Sequence, residues 1–179
     1  MALFLSLWIK LFFVLTPFFG LSMFLTLTEN YDEHRRRKLA LAVVAAVAVL
    51  CLLLFFAGRQ IFTLFGITLD SFRIGGGILL LLSGISLVHG KTNTPAATSG
   101  DVAVVPLAIP IIVGPATTAT ILVMGAEMDD LAARAVGTLA LLAAVACVAA
   151  VLLAGSAIHR YLGTRGLAIL SRLTGLILA

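Results

Sequence analysis

The chain has 179 residues, of which 61% are apolar (AVILMFWYC) and 11% are charged. A soluble domain of this size cannot bury so much apolar surface, so the composition excludes a water-soluble fold and points to a lipid bilayer. The net charge of +4 does not imply a nucleic-acid partner, because the basic residues sit in loops abutting apolar runs.

Charges cluster at residues 29–38, 59, 70–73, 127–134 and 159–165, with almost none between. The intervening runs predict an all-α membrane protein with six transmembrane helices, near residues 4–27, 39–58, 72–89, 103–125, 134–157 and 168–179. The first run is a span and not a signal peptide: it is too long, contains Pro17 and lacks a small-x-small cleavage site. It carries the motif Leu15-Thr16-Pro17-Phe18-Phe19-Gly20-Leu21-Ser22. Residues 29–38 form a polar turn in which Asp32 is placed to cap the next helix. Cys51 in the second run and Cys147 in the fifth are expected to be small packing residues, not a disulfide or metal site.

The third run opens with Arg73 and holds Gly75-Gly76-Gly77 and Gly84, which suit close helix approach. Residues 90–102, GKTNTPAATSGDV, read as a polar linker. The fourth run carries the second motif, with Val105-Pro106, Pro110 and then Gly114-Pro115-Ala116-Thr117-Thr118-Ala119-Thr120. Residues 127–130 repeat the acidic capping pattern before the fifth run. The blander reading makes both acidic turns plain solvated loops. The sixth run opens with Arg172. If it mirrors residues 74–89 it should reach position 188, whereas the chain stops at Ala179, so this span is expected to be truncated or to end early.

The two halves resemble each other. A shift of 97 lays Ala57-Gly58, Ile61 and Gly66 on Ala154-Gly155, Ile158 and Gly163, and also Asp32 on Asp129 and Arg37 on Arg134. A shift of 98 lays Pro17 on Pro115, and one of 99 lays Arg73 and Gly76 on Arg172 and Gly175. The expected domains are residues 1–89, a linker over 90–102, and residues 103–179. A unit of three spans starts and ends on opposite sides, so its second copy must insert upside down. Inverted repeats with broken helices suit alternating access, with the site between the repeats.

Orientation follows from Lys and Arg in the short loops. Arg35, Arg36, Arg37, Lys38, Lys91, Arg160 and Arg165 lie on one side, and Arg59, Arg73 and Arg134 on the other. Seven against three places the first side in the cytoplasm and both termini outside.

Proline removes a backbone donor and breaks a helix. In a bilayer such breaks survive where they face protein or a wet cavity. The second half of a broken helix presents unpaired N–H groups and a positive dipole to an anion such as a carboxylate. The expected binding residues are Thr16, Pro17, Phe18, Phe19, Gly20 and Ser22 in the first motif. In the second they are Pro110, Gly114, Pro115, Ala116, Thr117 and Thr118. The breaks, at residues 16–20 and 114–116, should face each other near the membrane centre. Thr117 and Thr118 should meet a carboxylate, so Val at either would weaken binding about tenfold and leave folding unchanged; Thr120 should project elsewhere. The plainer alternative is a pair of structural kinks whose Thr hydroxyls bond their own turns. Arg73 and Arg172 read as gating or structural residues, either snorkelling to an interface or binding carbonyls.

No Asp or Glu lies in the middle of a span, and no His-Glu-x-x-His, paired core carboxylates or nucleotide loop occurs. Neither an enzyme nor a cofactor is expected, and no carboxylate proton relay is visible. The text Phe65-Gly-Ile-Thr-Leu-Asp-Ser-Phe-Arg73-Ile-Gly-Gly-Gly77, Val105-Pro-Leu-Ala-Ile-Pro110, Gly114-Pro115 and Ser171-Arg-Leu-Thr-Gly175 resembles the MarC family of bacterial inner-membrane proteins, in the wider LysE-type exporter group. The likeness spans the whole chain. It departs at Thr16-Pro17, where members usually show Asn-Pro, and at Ser22, where many carry a second proline. The family's sixth span is also longer.

The resemblance implies a multi-pass protein of the bacterial inner membrane that transports small neutral amino acids such as glycine and alanine. The expected partners are that small-molecule substrate and the bilayer, with no nucleic acid; a homo-oligomer is left open. The competing readings are an exporter of another small polar solute, a non-transporting scaffold or sensor, and a channel. A channel needs a continuous polar path, and a scaffold has no need of paired helix breaks lined with hydroxyls.

Overall fold

The computed structural model describes residues 1–89, 108 and 112–179. The described residues form seven helices: α1 (Ala2–Val14), α2 (Pro17–Leu27), α3 (Glu33–Phe65), α4 (Leu69–His89), α5 (Pro115–Glu127), α6 (Leu131–Leu153) and α7 (Gly155–Leu178). The expected linker over 90–102, the start of the fourth run and Pro110 lie outside the described residues.

Among the described residues, four stretches are long and apolar enough to cross a membrane: Ala2–Leu27, Glu33–Phe65, Leu69–His89 and Leu131–Leu153. Six were expected. The described part of α5 has only 13 residues, and α7 carries His159, Arg160, Arg165 and Arg172 along its 24. The boundaries also differ from those read in the sequence. Helix α3 starts at Glu33, well before residue 39, because the polar run Glu33–Lys38 is made of good helix formers and Arg37 Nη2 pairs with Glu33 Oε1 at 2.8 Å. At 33 residues it is about 50 Å long, so it projects beyond a hydrocarbon core of about 30 Å. Helix α7 begins at Gly155 and fills residues 158–167, which the sequence reading left as a loop, kinking at Gly163.

The break in the first run falls at Leu15-Thr16 and does not extend to Gly20. Leu15 and Thr16 N–H close the last turn of α1 onto Leu11 and Phe13 carbonyls, and Pro17 starts α2 at a position that needs no N–H donor. Residues 17–20 are therefore the first turn of a new helix. In the fourth run Gly114 is extended and Pro115 starts α5 in the same way.

Helix α1 packs on α6, α3 on α5 and α6, α4 on α5 and α7, and α2 on α6 and α7. Leu11, Leu15, Leu21, Phe24, Val47, Phe55, Ile121 and Leu141 meet in one apolar core. Leu53, Phe56, Ile74, Leu82, Leu139 and Ile169 point outward and exposed, a belt that water would not tolerate and lipid would. Small residues set the closest crossings. A Cβ at Gly58 would strike the Leu122 carbonyl, and one at Gly125 the Phe55 carbonyl, which locks α3 to α5. A Cβ at Gly84 would sit 2.6 Å from the Gly175 oxygen, which draws α4 onto α7. Gly76 lies against Ala119, but Gly75 and Gly77 have nothing within 4 Å, so only the middle glycine of that run serves close approach.

Two residues matched by the 97 shift, Gly66 and Gly163, are the positive-φ glycines among the described residues, at 61° and 64°, but their ψ values differ: 24° ends α3 in the left-handed region, and 178° kinks α7. Asp32 and Asp130 are the N-cap residues of α3 and α6, and neither makes a side-chain cap hydrogen bond. The acid equivalent to Asp32 is thus Asp130; Asp129 instead pairs with Arg59. The arginine equivalent to Arg134 is Arg36, not Arg37. Arg36 Nη2 donates to the Thr28 carbonyl at 2.9 Å and Arg134 Nε to the Met128 carbonyl at 2.7 Å, each at the C-cap of the preceding half-helix. A cation there offsets the negative end of the dipole.

Candidate functional site

Two helix starts converge on one cavity of about 180 Å³. Pro at the first position of α2 and of α5 leaves the next two N–H groups without an intrahelical acceptor: Phe18 and Phe19 in α2, Ala116 and Thr117 in α5. Thr16 and Phe19 line the cavity from the first break, and Gly114, Pro115, Ala116 and Thr117 from the second. Val14, the last residue of α1, borders it as well. The hydroxyl of Thr117 spans the two breaks. It lies 3.1 Å from the Val14 carbonyl and 3.2 Å from the Ile112 carbonyl, and donates to them. The one hydroxyl proton is shared between the two carbonyls: Val14, at the end of α1, receives a donor from the other break, and Ile112 receives one from its own. Val113 N–H donates to the Ala108 carbonyl at 2.9 Å, five residues back, which completes the turn before Gly114. Gly20 brings α2 against the Ile112 side chain, where an added Cβ would lie 3.2 Å away.

The remaining expected site residues are placed elsewhere. Pro17 is buried, and Phe18 packs edge-on against Phe12. Thr118 faces a separate groove with Phe72, Leu79 and Val113. Ser22 lines a further cavity with Glu29, Arg36 and His159. Thr120 projects away from the central cavity, and its hydroxyl donates to the Ala116 carbonyl at 2.9 Å. Arg73 and Arg172 do not line the central cavity either. Arg73 donates through Nη2 to Glu127 at 2.6 Å and through Nη1 to Asp70 at 2.8 Å, and Arg172 is exposed.

The sequence reading missed Ser83 and Ser86, which bring hydroxyls from α4 to the cavity, and Leu178 of α7, which closes it. The signal for the serines was present: two hydroxyl residues three apart in an otherwise apolar run sit on one helix face. It also passed over Lys10, a cation inside the first apolar run, which lines a second cavity with Arg73 and Glu127. Cys51 and Cys147 are both free, and no His, Cys, Asp or Glu group among the described residues is arranged to hold a metal.

The cavity can hold a few waters or one small solute. Its polar groups are backbone N–H at two positive helix ends, Thr hydroxyls and Ser hydroxyls. Among the described residues, no ionisable side chain lines it. Such a lining can bind the anionic group of a small molecule.

Known proteins give the wider setting. A relative from Methanocaldococcus jannaschii, the UPF0056 membrane protein MJ1677, is 34% identical over 178 residues, covering 94% of this chain and 86% of its own. The UPF0056 membrane protein YvbG of Bacillus subtilis is 32% identical over 182 residues, covering 96% and 86%. One from Pyrococcus abyssi is 32% identical over 178 residues, covering 96% and 86%. No solved structure matches the chain. The family described as "MarC family integral membrane protein" matches residues 1–179, and with these relatives it shows that the chain belongs to the MarC family and is an integral membrane protein.

Proposed function

We propose that the protein is a secondary transporter of small neutral amino acids in the bacterial inner membrane, working by alternating access between two inverted three-helix repeats. The observation that carries this reading is the cavity of about 180 Å³ between two Pro-started half-helices. Two helix N-termini with the Thr16 and Ser83 hydroxyls suit a carboxylate, and the small volume suits a short side chain.

The packing supports the repeat reading. In that reading α2 corresponds to α5, α3 to α6 with the part of α7 before the Gly163 kink, and α4 to the part of α7 beyond it. Exchanging the halves turns the contacts of α2 with α6 and α7 into contacts of α5 with α3 and α4; all four are present. Gly58 receives Leu122 of α5, and Gly155 receives Leu21 of α2. Broken helices at the repeat interface are where such transporters hold their substrates.

The test is uptake and counterflow in proteoliposomes with a panel of labelled amino acids. Glycine and alanine should exchange well above protein-free liposomes, and large or charged ones should not. Equal rates with and without protein for the whole panel would remove the amino-acid reading.

A further inference from the structure

Two cavities flank the central one, and the parts of their linings that come from α2 and α5 correspond, whereas Arg73 lines the first and its counterpart Arg172 does not line the second. The first, about 270 Å³, takes Thr120, Val123, Met124 and Glu127 from α5. The second, about 370 Å³, takes Ser22, Leu25, Thr26 and Glu29 from α2 and the turn after it. Each of the second four stands 98 residues before its counterpart in the first, the same shift that relates Pro17 to Pro115. They lie at opposite ends of the bundle. Arg36 and His159 border the second, Lys10 and Arg73 the first.

The two acids are in different states. Glu127 Oε1 accepts from Arg73 Nε at 3.0 Å and Nη2 at 2.6 Å, which ties α4 to α5 in the lining of the first cavity. The counterparts of this pair are Glu29 and Arg172. Among the described residues neither has an ion pair, and Arg172 is exposed. Arg36, the other guanidinium beside Glu29, already donates to the Thr28 carbonyl and to Ser156 Oγ. The first cavity has an ion pair in its lining; among the described residues its counterpart has none.

We propose that Arg73–Glu127 and Arg172–Glu29 are alternating gate pairs, formed one at a time at opposite ends of the bundle. This rests on the alternating-access reading and adds the residues that close each entrance. The Arg73–Glu127 pair is half-exposed, with side-chain exposures of 49% and 40%. A pair of that kind contributes little net stability, which suits a gate, because a strong buried pair would trap one state. Exchanging one such pair for its counterpart leaves the two states close in free energy, so a small bias switches them.

The test places a reporter at two corresponding positions, Thr120→Cys and Ser22→Cys, in a Cys51→Ala, Cys147→Ala background. An impermeant methanethiosulfonate is given access to both membrane faces, with no substrate present. Arg73→Gln or Glu127→Gln should raise labelling at the Thr120→Cys reporter and lower it at the Ser22→Cys reporter, each about threefold. Arg172→Gln or Glu29→Gln should do the opposite. The double reversal Arg73→Glu, Glu127→Arg should restore the parent pattern. Both reporters moving together would mean general loosening and would overturn the proposal. No response to Glu29→Gln and Arg172→Gln would also overturn it. Since labelling needs no substrate, it stands or falls separately from the transport assay: opposed shifts in a protein that moves no amino acid would keep the gates and remove the substrate.

Discussion

Thr16 holds φ 46° and ψ 56°, a left-handed conformation that a β-branched residue adopts only under strain. It does so because α1 must end and α2 must start within two residues, and Pro17 fixes the second start. Asparagine tolerates this region better. Thr16→Asn should therefore raise stability by about 1 kcal/mol, read as a higher melting temperature in detergent; an unchanged or lower value would mean the strain is relieved elsewhere. Thr117 is a second case. The sequence placed it correctly on the first turn after a Pro-started break, yet nothing local revealed that its hydroxyl already serves the Val14 carbonyl, 103 residues away. Thr117→Val should thus destabilise by about 1–3 kcal/mol as well as impair transport, because it leaves a buried carbonyl unpaired. Thr117→Ser should restore both. Thr118→Val, facing another groove, should change neither. A Thr117→Val protein as stable as the parent would show that the bond across the breaks is dispensable.

At the scale of the helices, the hydroxyl motifs and the paired prolines were legible because breaks have a local chemical cause. The extents of α3 and α7 were not. Residues 33–38 are polar, and residues 158–162 hold His159 and Arg160, so the charge clusters assigned both to loops, although the Glu, Arg and Lys of 33–38 favour continuing the helix. The glycines show the same limit. Gly75, Gly76 and Gly77 look alike in sequence, and only the crossing of α4 over α5 distinguishes the middle one. Gly125 is the sharpest contact, since its missing Cβ is where the Phe55 carbonyl lies. Gly125→Ala should force α3 and α5 apart at a cost of about 1–3 kcal/mol. Gly77→Ala, in open space within a helix, should instead gain about 0.5–1 kcal/mol. Thermal unfolding in detergent separates the two. Equal responses would mean that the α3–α5 contact is not a close one.

For the whole molecule, the all-helical membrane class followed from composition alone, whereas the central cavity did not, because Ser83, Ser86 and Leu178 reach it only through the packing of α4 and α7. The overall orientation is a further whole-molecule property. Arg35, Arg36, Arg37, Lys38, Arg160 and Arg165 belong to one end, and Lys91 lies outside the described residues. The opposite end holds Arg59, Arg73 and Arg134, and Lys10 now joins them through its cavity with Arg73 and Glu127. The excess is narrower than the loops alone implied, but it keeps its sign. Two of the basic residues at the richer end are fixed by structure, Arg36 on the Thr28 carbonyl and Arg37 on Glu33, so they cannot relocate across the membrane without breaking α3. Positive charge is retained on the cytoplasmic side. The turn holding Asn30 should then be cytoplasmic, and the turn holding Ile67, between α3 and α4, should be outside. In a background lacking the two native cysteines, Ile67→Cys should react with an impermeant thiol reagent in intact cells, and Asn30→Cys only after permeabilisation. The reverse pattern would invert the molecule, and with it which gate pair faces the cytoplasm, while leaving the pairing of the gates themselves untouched.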